Sequence, residues 1–259
     1  MSLQTALAEK PAEWHTLPCD FDDALAGRAA IGLLALASDG VIESELRKFL
    51  PADGVAVYTT RLPRIPDTTP PSLRLMEQGI AECTGRLLPG RKLDVLAFGC
   101  TSAAMVIGPE AVTASIHTVR EDIAVTDPVS ASLKAFATLG MRRVAVLTPY
   151  VDSVNAEVAS CLTRNGLAIA DCASFKQASG TINRITEADV YRAGVHLALS
   201  DPEAVFISCT GLRCSSVIDQ LERDIGKPVV ASNQALAWDV LRLAGVREQV
   251  RGFGRLLTM

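Results

Sequence analysis

One short pattern occurs twice in this chain and limits the fold more than any other feature. VLAFGCTS at 95–102 and AVFISCTG at 204–211 are both apolar runs that break on Cys-Thr and a small residue. Their cysteines, Cys100 and Cys209, stand 109 positions apart, and the ends of two earlier apolar runs, at Asp39 and Tyr150, stand 111 apart. Two anchors with nearly equal offsets point to a duplicated unit, and a period this long marks a repeated half rather than a solenoid array.

The segments around the anchors repeat in the same order. Ile31 to Ala37, Gly54 to Thr60 and Leu93 to Gly99 read as buried strands, with helical patterns over Val41 to Leu50 and Leu73 to Leu88. The second copy has strands over Arg143 to Thr148, Leu167 to Cys172, Ala204 to Ser208 and Pro228 to Ala231. Its helices are expected over Val151 to Arg164, Glu187 to Leu199, Ser215 to Ile225 and Ala235 to Ala244. Strands alternating with helices of this length build parallel sheets from βαβ units. The predicted fold is α/β: two similar Rossmann-like (flavodoxin-like) parallel-sheet halves related by a pseudo-two-fold axis, with the site in the cleft between them. An N-terminal extension covers 1–28, the first half 29–126 plus 232–259, and the second half 127–231.

Composition excludes several classes of partner. A formal charge of −4 offers no basic field for nucleic acid or an anionic membrane. No apolar run approaches the roughly 20 residues that span a bilayer. Met1 to Arg28 carries Glu9, Glu13, Asp20, Asp22 and Asp23 without the basic-then-apolar order of a signal peptide, so the expected location is cytoplasmic. The apolar helix expected at Ala235 to Ala244 points to a homo-oligomer. Seven cysteines at irregular spacing, with no CxxC and with His15, His117 and His196 far from the closest pair, fit neither a disulfide framework nor a metal site. Free cysteine is by default a small buried hydrophobe. Cys19, Cys83, Cys161, Cys172 and Cys214 keep that reading.

Cys100 and Cys209 differ because both stand where a parallel sheet binds its ligands, beyond the carboxyl ends of the strands. The backbone that follows each has free N–H groups, which favour a substrate carboxylate and should lower a thiol pKa. Thr101, Ser102 and Thr210 add hydroxyls. Two thiols across a cleft can act on opposite faces of one carbon, one removing a proton or attacking while the other donates. No dinucleotide fingerprint or P-loop is present, so no cofactor is expected.

Five segments carry a family resemblance: IGLLALASDGVIESEL at 31–46 with its Glu43 and Glu45, FGCTSAAMVIG at 98–108, LTPYVDSVNAEV at 147–158, the long run from Ser208 to Gly245, and the RGFGRL finish at 251–256. Together they resemble the aspartate/glutamate racemase superfamily, in the branch of maleate cis-trans isomerases and arylmalonate decarboxylases, over nearly the whole chain after Ala30. The resemblance implies a cofactor-independent isomerase or racemase acting on a small carboxylate or amino acid. It implies Cys100 as nucleophile or base and Cys209 as the acid opposite. Thr101, Ser102 and Tyr150 would then hold a carboxylate, with Thr210 and Gly211 as donors in the second half. Maleate isomerases add one thiolate to the double bond, rotate about the new single bond and expel the thiol. Isomerase-like members of the branch also occur in ectoine degradation.

The departures are informative. Asp39 stands where maleate isomerases carry an Asn, which implies a substrate with an amino or other cationic group. Cys100 replaces the Gly of arylmalonate decarboxylases, which disfavours decarboxylation. The C-N-T motif and second-thiol His of glutamate racemases are missing. A second family Asn is expected near Ser179 to Asn183.

Other residues have two readings each. Asp39 serves as substrate ligand or as cap for the helix after it. Tyr150 binds substrate or packs beside a helix. Asn233 faces the cleft or caps the last helix, and Trp238 is core or subunit interface. Arg61, Arg64 and Arg74 flank a Pro-rich loop, Pro63 to Pro71, that is a charged lid or a solvated surface loop. Two other functions stay open: a lyase using Cys209 alone, and a two-lobed binding protein for a small anion in which the thiols only pack.

Overall fold

The structure is a computed structural model and describes residues 14–22, 24–63, 65 and 67–259. The first half runs β1 (Ala29–Leu36), α1 (Ile42–Phe49), β2 (Val55–Leu62), α2 (Pro70–Arg74), α3 (Ile80–Arg86), β3 (Val95–Gly99), α4 (Thr101–Ile107), α5 (Pro109–His117) and β4 (Ala124–Thr126). The second runs α6 (Pro128–Leu139), β5 (Arg143–Thr148), α7 (Asp152–Arg164), β6 (Ala168–Ser174), α8 (Glu187–Ala198), β7 (Ala204–Ile207), α9 (Ile218–Ile225) and β8 (Val229–Ala231), and α10 (Ser232–Leu243) follows. The strands form two four-stranded sheets, ordered β2-β1-β3-β4 and β6-β5-β7-β8. Every pairing is parallel. The order of the first sheet is thus that of the second, as duplication requires.

Sheets covered on both faces need strands that are apolar throughout. β3, β7 and β8 are buried at every position, and β1 at all but its last. The edge strands β2 and β6 are partly exposed along most of their length, and β4 at two of its three positions. With aromatics at 5% of the chain, aliphatic side chains fill the core. Two edge-to-face aromatic pairs join distant elements: Phe49 of α1 meets Phe253 near the C-terminus at 5.2 Å, and Phe136 of α6 meets Phe206 of β7 at 5.5 Å. α10 packs on β3 and β4 of the first sheet and on α1 and α6.

The register corrects one detail of the repeat. Ile31 pairs with Val95, and Val144 with Ala204. The inner strands keep the 109 offset, but Val144 lies 113 positions beyond Ile31. Tyr150 is therefore the register equivalent of Ala37 rather than of Asp39. Two further departures are local. The helix expected over Leu73 to Leu88 is α2, a 3-10 turn over Leu75–Gly79 and α3. It breaks at Gly79, where a Cβ would stand 2.8 Å from Pro63, so the chain hugs the end of β2. The helix expected from Ser215 begins only at Ile218, and the loop before it is held by Glu45, which accepts the backbone N–H groups of Cys214 and Ser215.

Candidate active site

Both repeated cysteines line one cavity of about 370 Å³ at the carboxyl ends of the two sheets. The first half supplies Leu36 to Asp39, Ile65, Thr68, Leu73, Cys100 and Ser102. The second supplies Tyr150, Gly180, Ile182, Asn183, Cys209, Thr210 and Gly211. This volume suits a small ligand held between two walls. A wider, open hollow of about 820 Å³ lies over Pro70, Pro71, Arg74 and Leu75 and contains no thiol. Among the described residues no group of three or more His, Cys, Asp or Glu is placed to hold a metal ion, and no helix is long and apolar enough to cross a membrane.

The strand ends explain how the thiols are presented. A Cβ on Gly99 would meet Ile42 at 2.9 Å and the Leu34 carbonyl oxygen at 3.0 Å, so glycine lets α1 close over the end of β3. The next residue, Cys100, is extended and caps α4: the Ala103 N–H donates to its Sγ at 3.4 Å, and Ser102 Oγ lies 3.7 Å away. Cys209 is held in a turn rather than at a helix start, with the Gly211 N–H donating to its Sγ at 3.3 Å. The Tyr150 hydroxyl is within hydrogen-bonding reach of Cys209 and Ser102.

The expectation of low thiol pKa values is overturned. Burial is the largest cause for both: it pushes Cys100 up to about 11 and Cys209 up to about 12, and the Asp39 charge adds to the rise. The backbone N–H groups act in the other direction but do not offset lost hydration. Tyr150 is likewise held well above its usual range by burial, so it stands as a neutral hydroxyl.

Both thiols are therefore protonated in the free protein at neutral pH, which gives a prediction. At pH 8 a maleimide should label the exposed Cys19 and Cys172 first and Cys100 and Cys209 slowly. Peptide mass spectrometry reads the order, and rapid labelling of Cys100 or Cys209 would contradict it. The folded state also keeps protons that the unfolded chain releases near pH 9. The stability these thiols contribute is complete below that pH and is lost as pH rises towards 11–12. The urea midpoint should fall between pH 8 and pH 10.

Asp39 caps α1 and stands on the cavity wall. Its Oδ1 accepts the N–H groups of Val41 at 2.7 Å and Ile42 at 3.0 Å, which starts α1, and the residue also lines the cavity. Its Oδ2 is buried and finds no partner among the described residues. Ser102, Thr210 and Gly211 line the cavity as expected, but Thr101 does not. The Thr101 hydroxyl donates to Ser232 Oγ at 3.0 Å, tying α4 to α10. Asn183, within the segment where a second Asn was sought, lines the cavity.

Arg61 is not a free carboxylate ligand: it donates to the Leu36 and Asp39 carbonyls, each at 2.8 Å, and pairs with Glu43. Arg74 borders the outer hollow, and Arg64 lies outside the described residues. Trp238 is buried, and the whole of α10 through Leu241 is covered within the chain, so this helix gives no support for a subunit contact.

A residue that the sequence flagged only as part of a turn turns out to join the halves. Glu45, on α1, is 2% exposed and accepts the N–H groups of Cys214 at 2.7 Å and Ser215 at 2.8 Å. Its Oε2 accepts the Asn233 amide at 3.0 Å, and the same amide donates to the Thr210 carbonyl at 2.8 Å. Asn233 thus sits behind the cleft, outside the cavity lining, and braces the loop after Cys209.

Comparison with known proteins places this geometry. Residues 82–257, well over half of the chain, match the family model for arylmalonate decarboxylase, Amdase. The chain belongs to the arylmalonate decarboxylase family. It is 31% identical to arylmalonate decarboxylase of Bordetella bronchiseptica over 188 residues, 71% of this chain and 73% of that one. It is 28% identical to maleate isomerase of Nocardia farcinica over 243 residues, 89% of this chain and 96% of that one. A solved structure of the Nocardia farcinica maleate cis-trans isomerase, a Cys-to-Ser variant with a covalently bound succinylcysteine intermediate, superposes with a TM-score of 0.81 at 25% identity, covering 89% of this chain and 98% of that one. This family member is an isomerase-type enzyme of the aspartate/glutamate racemase superfamily, with two similar α/β halves.

Proposed function

We propose that the protein is a two-cysteine, cofactor-independent isomerase or racemase of a small carboxylate or amino acid, worked by Cys100 and Cys209. The observation that carries this reading is that each repeat delivers one thiol to the same cavity. Ser102, Tyr150, Thr210 and Gly211 hold the carboxylate, and Thr101 acts from behind by fixing the start of α4.

For an unsaturated acid, the Cys100 thiol first loses its proton to solvent, and the thiolate adds to one double-bond carbon. The displaced electron pair is protonated at the other carbon by the Cys209 thiol. The new single bond rotates, the Cys209 thiolate takes a proton back, and the C–S bond breaks as the double bond reforms in the other geometry. For a racemisation, one sulfur removes the proton next to the carboxylate and the other delivers one to the opposite face. The addition route ends with Cys209 as a thiol and Cys100 as a thiolate, and the racemisation ends with the protonation states of the two sulfurs exchanged; proton exchange with solvent restores the starting state in both. The covalent succinylcysteine of the Nocardia enzyme supports the addition step by likeness.

The test is proton NMR in deuterated water against a panel of small dicarboxylates, malonates and amino acids. Geometric conversion, or deuterium uptake next to a carboxylate, is expected. Binding without either would make the protein an anion-binding module and end this reading. The 31% identity to a decarboxylase favours a second reading, a lyase using Cys209 alone. Carbon dioxide release from a malonate that survives Cys100→Ser would establish it.

A further inference from the structure

We infer that Asp39 is a recognition site for a cation on the substrate, so that the cleft takes a carboxylic acid bearing an ammonium or similar group rather than a plain dicarboxylate. The inference rests on the two-thiol reading only for where the substrate lies.

The argument starts from an unsatisfied atom. Asp39 is 7% exposed, and one of its oxygens already serves α1 through the Val41 and Ile42 N–H groups. The other, Oδ2, is buried without a partner among the described residues. Leaving a buried acceptor unpaired is unfavourable by about 1–3 kcal/mol, and by more for a charged group, so such atoms call for a physical reason. Capping cannot be the reason, because it uses only Oδ1. Among the described residues lining the cavity, Asp39 is also the only one with a formal charge. Arg61, the cation beside it, is spent on the Leu36 and Asp39 carbonyl oxygens and on Glu43, and does not reach the Asp39 carboxylate.

An unpaired carboxylate oxygen on the wall of this cavity repels a dianion and attracts a donor with positive charge. An ammonium group meets both demands at once, with an N–H for Oδ2 and a charge to balance it. It would also act on the chemistry. The Asp39 charge is one of the causes that keep both thiols protonated. A bound cation cancels that contribution, so the thiolate forms more readily when the right substrate is present.

The experiment reads binding in the Cys209→Ser protein, by titration calorimetry, so that the ranking of ligands does not depend on turnover. The probes are alanine, aspartate and 2,3-diaminopropionate, against their ammonium-free counterparts propionate and succinate. Each amino acid should bind roughly tenfold or more tightly than its counterpart. Asp39→Asn is the companion variant: its side-chain oxygen can still accept from Val41 and Ile42, so α1 keeps its start, while a donor replaces Oδ2. It should lose that preference and gain affinity for succinate. Equal or better binding of the ammonium-free acids, no binding of any amino acid, or an unchanged ranking in Asp39→Asn would overturn the inference. None of those results touches the two-thiol reading, which fails separately if the thiol variants keep full turnover.

Discussion

Cys100→Ser and Cys209→Ser should each abolish turnover while the protein stays folded. Serine fits either position. Both sulfurs accept a single backbone N–H, from Ala103 and from Gly211, and a hydroxyl oxygen can accept the same donor. The melting temperature should therefore move little. Chemistry is another matter, because a serine hydroxyl ionises far less readily than a thiol and adds poorly to carbon. Losing the attacking group should lower kcat by roughly 10³-fold or more. Losing the proton donor should lower it by roughly 10²–10⁴-fold. The two variants should also fail differently. With an unsaturated acid that the unaltered enzyme isomerises, Cys209→Ser should accumulate an adduct on Cys100, seen in intact mass as a gain of one substrate molecule. Cys100→Ser should show none. Because the thiols act as a pair, the double variant should be little worse than the poorer single one. Near-normal activity in either single variant would end the two-thiol mechanism.

The parts of this site legible in the sequence were those written as local pattern. The strand–Cys–Thr repeat announced two halves and the thiols facing one cleft, and both cysteines line it. All four strands of the second sheet, and three of the first, were visible as apolar runs bounded by turns; β4 was not. What was missed had physical reasons. The stretch 101–142 was left without elements because α4 is buried at every residue and so shows no helical polar face. Its apolar run cannot be told from a strand by periodicity. Arg61 looked available because a sequence shows charge but not the carbonyls that consume it. The thiol pKa direction was misjudged because strand-end N–H groups are inferable from sequence, whereas closure of the cavity over the sulfurs is not. Glu45 was beyond reach altogether: its partners lie 169, 170 and 188 positions away.

That clamp leads to the second large effect. Glu45 is the point where α1, whose first turn Asp39 sets from the cleft wall, grips the loop that follows Cys209. Glu45→Ala strands two buried backbone donors and the Asn233 amide, and should destabilise the protein by roughly 3 kcal/mol or more. For a chain of this size that corresponds to a fall in Tm of roughly 6–12 °C. Glu45→Gln separates positioning from bulk stability. The glutamine oxygen can still accept from Cys214 and Ser215, but its amide then faces the Asn233 amide, donor against donor. Relief comes if Asn233 turns its unpartnered Oδ1 towards the glutamine. That rotation releases the Thr210 carbonyl, one residue from Cys209. The Gln variant should therefore keep most of the stability and lose kcat with little change in KM. Its Cys209 should label faster with maleimide while Cys100 labels at the old rate. A purely structural role for Glu45 predicts that both thiols change together, in step with Tm. Equal acceleration at Cys100 and Cys209 would show that the clamp supports the fold in general and does not set the second thiol.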